Sequence, residues 1–158
     1  MSTIKVEEIQ HPSNSNNAVS IASDSSVSLK HSGSAKLATT ATGITATGGT
    51  FTGSVVFEDA INENVFAITD ASSVALDPDN GMVQTWTLGA NRTATDSLTT
   101  GQSMLLIVTA SGSSYTINWP TMTWVGGSPP TLGGATPTAI ELFKVSSTLY
   151  GATVGDLG

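Results

Sequence analysis

The sequence predicts an all-β, self-associating chain, expected as a trimer: an extended N-terminal β-stalk or arm, followed by a C-terminal antiparallel domain of β-sandwich type. Three observations carry this. Apolar and polar residues alternate at period two through most of the chain, with no capped stretch of helical periodicity between them. Turn signals built on Gly, Pro, Asn and Asp separate the alternating runs at roughly 8–15-residue spacing, the pattern of a stacked sheet pair. Charged residues make up 11 % of the 158 and hydrophobic residues 39 %, where soluble domains carry about 25 % charge.

Residues 1–50 are rich in Ser, Thr, Asn, Ala and Gly. Val19 and Ile21 form one alternating pair and Val27 and Leu29 another, followed by Leu37 and Ile44. These predict short strands, each too small to bury itself, with Gly33, Gly43, Gly48 and Gly49 at turn positions. A flexible tail would need no alternation. The regular pairs favour an attachment arm or stalk in which sister copies each add one short strand per layer to a shared narrow core.

Residues 51–81 form a short β linker region that carries Phe51, Val55, Phe57, Phe66 and Ile68, with acid concentrated at Glu58, Asp59, Glu63, Asp70, Asp77 and Asp79. Residues 61–64 break the alternation, which resumes with Phe66-x-Ile68 and Val74-x-Leu76. Asp77-Pro78-Asp79-Asn80-Gly81 is read as a tight hairpin turn, because Pro fixes φ and Asn-Gly favours positive φ.

Residues 82–158 are expected to form the C-terminal β domain. Gln84, Trp86 and Leu88 share one strand face, and Val83, Thr85 and Thr87 the other. Met104–Val108 is a continuous apolar run that predicts a central buried strand. Tyr115, Ile117 and Trp119 alternate until Pro120 limits the strand. A loop follows from Gly126 to Gly134, and Ile140–Val145 and Leu149–Val154 are two further strands joined by Ser146-Ser147-Thr148.

Composition also excludes function classes. Without cysteine there are no disulfides or thiolate metal sites. The formal net charge is −7, and the five cations, Lys5, Lys30, Lys36, Arg92 and Lys144, are scattered. A phosphate backbone needs them clustered, so no nucleic-acid partner is expected. The start, MSTIKVEEIQ, lacks the apolar core of a signal peptide, and no run reaches a membrane span of ~18 apolar residues. Assembly in the cytoplasm without membrane insertion is the expectation. Mean hydropathy is slightly positive, which argues against wholesale disorder. A surface of hydroxyls is buried against a like surface at low cost, which favours a homo-oligomer.

Chemistry-bearing patterns are sparse. His11 and His31 are the two histidines, both in the weakly patterned first zone, and no Gly-x-Ser-x-Gly elbow exists. Glu58 and Asp59, adjacent on a strand, would face opposite sides and so not share one glycosidic bond. Asp77-x-Asp79-x-Gly81 partly matches a calcium loop but lacks the further oxygen ligand and the distal Glu. Asn91-Arg92-Thr93 fits a glycosylation pattern without meaning in a cytoplasmic chain. Trp86 and Trp119 lie in alternating strands and predict core, whereas Trp124 is the best candidate for an exposed aromatic. The expectation is no catalytic residue, no metal and no cofactor.

Met1-Ser-Thr-Ile-Lys-Val-Glu-Glu-Ile-Gln-His-Pro-Ser resembles the start of fibre and virion structural proteins of marine bacteriophages, including cyanophages, as does the stretch from Leu29-Lys-His-Ser-Gly-Ser to Ile44-Thr-Ala-Thr-Gly. The ending, from Trp86-Thr-Leu-Gly-Ala-Asn-Arg to Leu149-Tyr-Gly-Ala-Thr-Val-Gly-Asp, is similar to a terminal module of the same proteins. The resemblance covers most of the chain except the acidic middle. It implies a non-enzymatic homotrimer on the virion surface, a tail or head fibre held to other virion proteins by its N-terminal segment and contacting a host glycan or receptor. It transfers no binding residue. The shortness of the chain keeps a capsid decoration or cement role as the alternative, ahead of a polysaccharide-degrading spike.

Overall fold

The structure, a computed structural model, describes residues 7–10, 16–50, 52–111 and 114–158. Among these it holds fourteen β-strands, one 3-10 turn and no α-helix. The all-β expectation holds. Lys5, His11 and Phe51 lie outside the described residues. The chain forms two compact units, Met1–Glu58 and Asp59–Gly158.

The first unit is an antiparallel meander of β1 (Glu8–Gln10), β2 (Asn17–Ile21), β3 (Val27–His31), β4 (Ser34–Thr40) and β5 (Gly43–Ala46), ordered in the sheet as in the sequence. The apolar residues read from the alternation all fall in strands. Local chemistry makes the turns. Ser32 and Gly33 link β3 to β4 with φ of 50° and 79°, the two positive φ values of a hairpin loop whose twist matches its strands. Between β2 and β3 the Asp24 carboxylate accepts from the Ser26 amide at 3.0 Å, a side-chain link that mimics a backbone turn. The same bond holds the Asp24 carboxyl below the usual carboxylate range.

The second unit is built from β6 (Val65–Ala67), β7 (Ser73–Leu76), β8 (Val83–Thr87), β9 (Arg92–Asp96), β10 (Ser103–Thr109), β11 (Ile117–Asn118), β12 (Thr123–Val125), β13 (Thr138–Val145) and β14 (Thr148–Asp156). A six-stranded sheet runs β12-β14-β13-β10-β8-β6, and a three-stranded sheet runs β11-β9-β7. In the larger sheet β6, β8 and β10 lie side by side and parallel, as do β7, β9 and β11 in the smaller one. The chain therefore winds through three successive coils, each leaving one strand in each sheet. The β13–β14 hairpin, turning at Ser146-Ser147, then pairs with β10, and β12 closes the far edge parallel to β14.

This corrects the antiparallel expectation for residues 82–158. Only β10, β13 and β14 pair antiparallel there among the described residues. The cause is the segment read as a hairpin turn. Asp77 instead caps a 3-10 turn over Pro78–Asn80, accepting from the Asp79 amide at 3.1 Å, and the chain crosses from the smaller sheet to the larger. Buried Gln84 ties this arch to β8 by donating from Nε2 to the carbonyls of Asp77 (2.6 Å) and Gly81 (2.9 Å). Gly81 has φ of 153°, and a Cβ there would stand 2.7 Å from the Asn64 carbonyl oxygen. An arch replaces the hairpin, so the next strand in the same sheet arrives one coil later and parallel.

One core lies between the two sheets. Val74, Leu76, Ala94 and Ile117 of the smaller sheet meet Trp86, Leu88, Met104, Leu106, Val108, Ile140, Leu142 and Leu149. Each large aliphatic enclosed there contributes about 1.5–3 kcal/mol as an upper bound. The strand face read as Gln84, Trp86 and Leu88 points inward as expected. The Met104–Val108 run is central, but only Met104, Leu106 and Val108 enter the core, while Leu105 and Ile107 are half-buried on the outer face. No strand is present over Val55–Phe57 or Glu58–Asp59, and Phe57 is exposed.

Candidate interaction surface

The residues singled out for chemistry are dispersed or structurally employed. His31 is exposed at the end of β3. Glu58 and Asp59 sit in an exposed bend, where Asp59 accepts from the Ala60 amide at 2.7 Å. Asp77 caps the 3-10 turn, and Asp79 accepts from Gln102 Nε2 at 3.3 Å. The Asn91 side chain accepts from the Thr116 amide at 3.0 Å, which ties the β9 start to β11. Among the described residues no three His, Cys, Asp or Glu side chains stand close enough to hold a metal ion, and no helix is long and apolar enough to cross a membrane.

Two ion pairs of the second unit join its sheets. Asp70, between β6 and β7, accepts from Trp86 Nε1 at 2.9 Å, from the Gly89 amide at 3.1 Å and from Arg92 Nε at 2.9 Å, with a further bond from Arg92 Nη2. The Arg92 guanidinium, with burial opposing and the Trp86 and Gly89 donors adding, holds the Asp70 carboxyl down at about 2. Lys144 on β13 donates to Asp96 at 2.5 Å and to the Leu98 carbonyl at 2.9 Å, bridging the larger sheet to the end of β9. Both cations of this unit are thus committed to carboxylates inside the fold. Glu141, on the outer face of β13, has its pKa raised, first by burial and further by nearby Glu63, against a lowering bond from Ser103.

The first unit carries the most consequential surface. Its register aligns Ile9 with Val19, Val19 with Leu29, Leu29 with Leu37 and Leu37 with Ala46. Cross-strand partners share a face, so these five residues make one apolar row across all five strands. Ile21 and Val27 pair beside it, as do Thr39 and Ile44, two residues along each strand and hence on the same side. The opposite face carries the row Glu8, Ser20, Ser28, Ala38 and Thr45. Within the chain the aliphatic face is left open, with Ile9, Ile21, Leu29, Leu37 and Ile44 between 37 % and 69 % exposed. A five-stranded single layer with every large aliphatic on one side is half of a core.

Sequence reasoning located β2 to β5 but neither β1 nor the row. Its signal was the recurrence of aliphatics at 9, 19 and 29, one per strand and turn, which becomes a face only once the register is known. Trp124 is corrected in the other direction. It is not free but packs on the core edge-on to Trp119, with centroids 5.2 Å apart and planes at 76°. Gly151 lies opposite it in the β12–β14 register, and a Cβ there would stand 2.8 Å from the Trp124 ring. Comparison with protein-family models, with curated proteins and with solved structures finds no match to this chain.

Proposed function

We propose that this chain is a non-catalytic structural protein of a bacteriophage particle, a fibre-like homotrimer on the virion surface whose first unit associates with sister copies. The observation that supports it is the open aliphatic face of the β1–β5 sheet. The phage assignment rests on the resemblance of residues 1–13, 29–48 and 86–156 to virion structural proteins.

Geometry favours three copies over two. Five strands ~4.8 Å apart span about 19 Å, and five residues at ~3.3 Å run about 17 Å, a face of roughly 300 Å². Two such faces in contact bury about 600 Å² of projected area and three about 900 Å², so three come nearer the ~1,000 Å² a specific interface needs. A triangular prism of side ~19 Å places each sheet about 5.5 Å from its axis, close to half the ~10 Å separation of packed sheets. The Ile9–Ala46 row carries no charged residue, so like rows can meet without burying an ion along it. In this reading residues 1–50 form the stalk or arm that also meets other virion proteins, and the second unit, a sheet pair of sandwich kind, is displayed outward toward the host surface.

The test is solution mass by light scattering for the full chain and for Leu29→Asp. Three chains for the former, and dissociation of the latter with its second unit still folded, are expected. A wild-type monomer whose melting is independent of concentration refutes the assembly. A second reading is a capsid decoration or cement protein, for which the open aliphatic face of the first unit would serve as the clamp. Copy number in the particle separates the two, since decoration requires hundreds of copies and fibres far fewer.

A further inference from the structure

Beside the start of β11 a cleft of about 310 Å³ opens between the segment entering that strand and the Pro129–Leu132 loop. Tyr115, Trp119 and Pro130 line it, and Ser114, Thr116 and Thr131 supply hydroxyls. None of the described lining residues bears a formal charge. Trp119 is held in place by Trp124, which meets it edge-on, and both rings pack on the core. The aromatic wall is therefore set before any ligand arrives, which reduces the ordering cost of binding.

We infer that this cleft is a binding site for a neutral saccharide. A pyranose ring presents an apolar C–H face and a rim of hydroxyls, and the cleft presents aromatic and proline surface together with side-chain hydroxyls that both donate and accept. An uncharged lining in an acidic protein disfavours anionic ligands, and no carboxylate stands among the lining residues to draw a cation. Size discriminates further. The volume is at the low end for small-ligand sites, enough for one or two sugar rings, whereas six residues of an extended proline-rich peptide span about 19 Å and would not be enclosed. The inference does not rest on the assembly proposed above, because binding and mass are separate readouts.

The experiment titrates the full chain with maltotetraose, cellotetraose and tetra-N-acetylchitotetraose, followed by saturation-transfer NMR and tryptophan emission. A charged tetragalacturonate and a proline-rich decapeptide run alongside. Saturable binding of at least one neutral sugar is expected, with a dissociation constant on the order of 1 mM, the range that ligand efficiency allows for one or two rings. Trp119→Ala should weaken it by roughly three- to tenfold, the loss of one stacking platform. Should that variant misfold through its contact with Trp124, Tyr115→Ser at the cleft wall gives the same readout. The inference is overturned if no neutral probe saturates by about 20 mM, far beyond the range expected for such a site. It is equally overturned if a folded variant binds as wild type does, or if the decapeptide or the charged sugar binds as tightly as the neutral ones.

Discussion

Replacing Asp70 by Asn tests how the second unit joins its two sheets. The Asp70 carboxylate receives Trp86 Nε1, the Gly89 amide and the Arg92 guanidinium, and Trp86 is 1 % exposed. Its displacement from 3.8 to about 2 corresponds to about 2 kcal/mol at ~1.4 kcal/mol per pH unit. The Arg92 and Asp70 side chains are 20 % and 23 % exposed, so solvent screening lowers the expected net effect to about 1–2 kcal/mol. The sign follows from linkage. A carboxyl whose folded pKa is depressed contributes fully above its unfolded value near 4, and the contribution fades as pH falls from about 4 to about 2. Asp70→Asn should therefore lower stability by about 1–2 kcal/mol at pH 7 and by only a few tenths of a kcal/mol near pH 2, where the Asp70 carboxyl is about half protonated. Urea unfolding followed by tryptophan emission, at one protein concentration and at several pH values, measures both. A deficit of the same size at pH 2 and pH 7 would refute the role given to the charge.

Gln84→Leu removes the donor to the Asp77 and Gly81 carbonyls and should cost about 2–3 kcal/mol in denaturant stability, despite the more apolar side chain. Gly81→Ala forces a Cβ to within 2.7 Å of the Asn64 carbonyl oxygen, so the arch must shift; a loss of about 1–3 kcal/mol in the same assay is expected. Glu141 is disfavoured as an anion chiefly by burial. Stability should rise as pH falls through its raised pKa, and Glu141→Gln should exceed wild type at pH 7 but match it once both side chains are neutral, as thermal melts across pH will show.

Alternation placed individual side chains with considerable success and placed neighbours poorly. Gln84, Trp86 and Leu88 were readable as an inward face because their period matches a pleated strand, and all three are buried. The Asp77–Gly81 segment was readable as a turn, since Pro and Gly restrict or free φ locally, but whether that turn reverses the chain within one sheet or carries it to another is not a local property. Here Gln84, a later residue, decides it by binding the arch carbonyls. Trp124 was misplaced for a related reason. Its exposure depends on Gly151, distant in sequence, leaving room for the ring.

By itself the sequence determined that the chain is all-β, where several of its strands lie, that Gln84, Trp86 and Leu88 form one inward face, and that no cysteine, histidine cluster or basic patch is available for chemistry. Those properties follow from residue type and spacing alone. Tertiary structure decided the parallel winding of β6–β11, the joining of sheets through Asp70 and Asp96, and the gathering of Ile9, Val19, Leu29 and Leu37 into one open row. Each of these depends on which strands become neighbours and in what register. That choice is set by the summed packing of residues far apart along the chain, and period-two alternation carries no record of it.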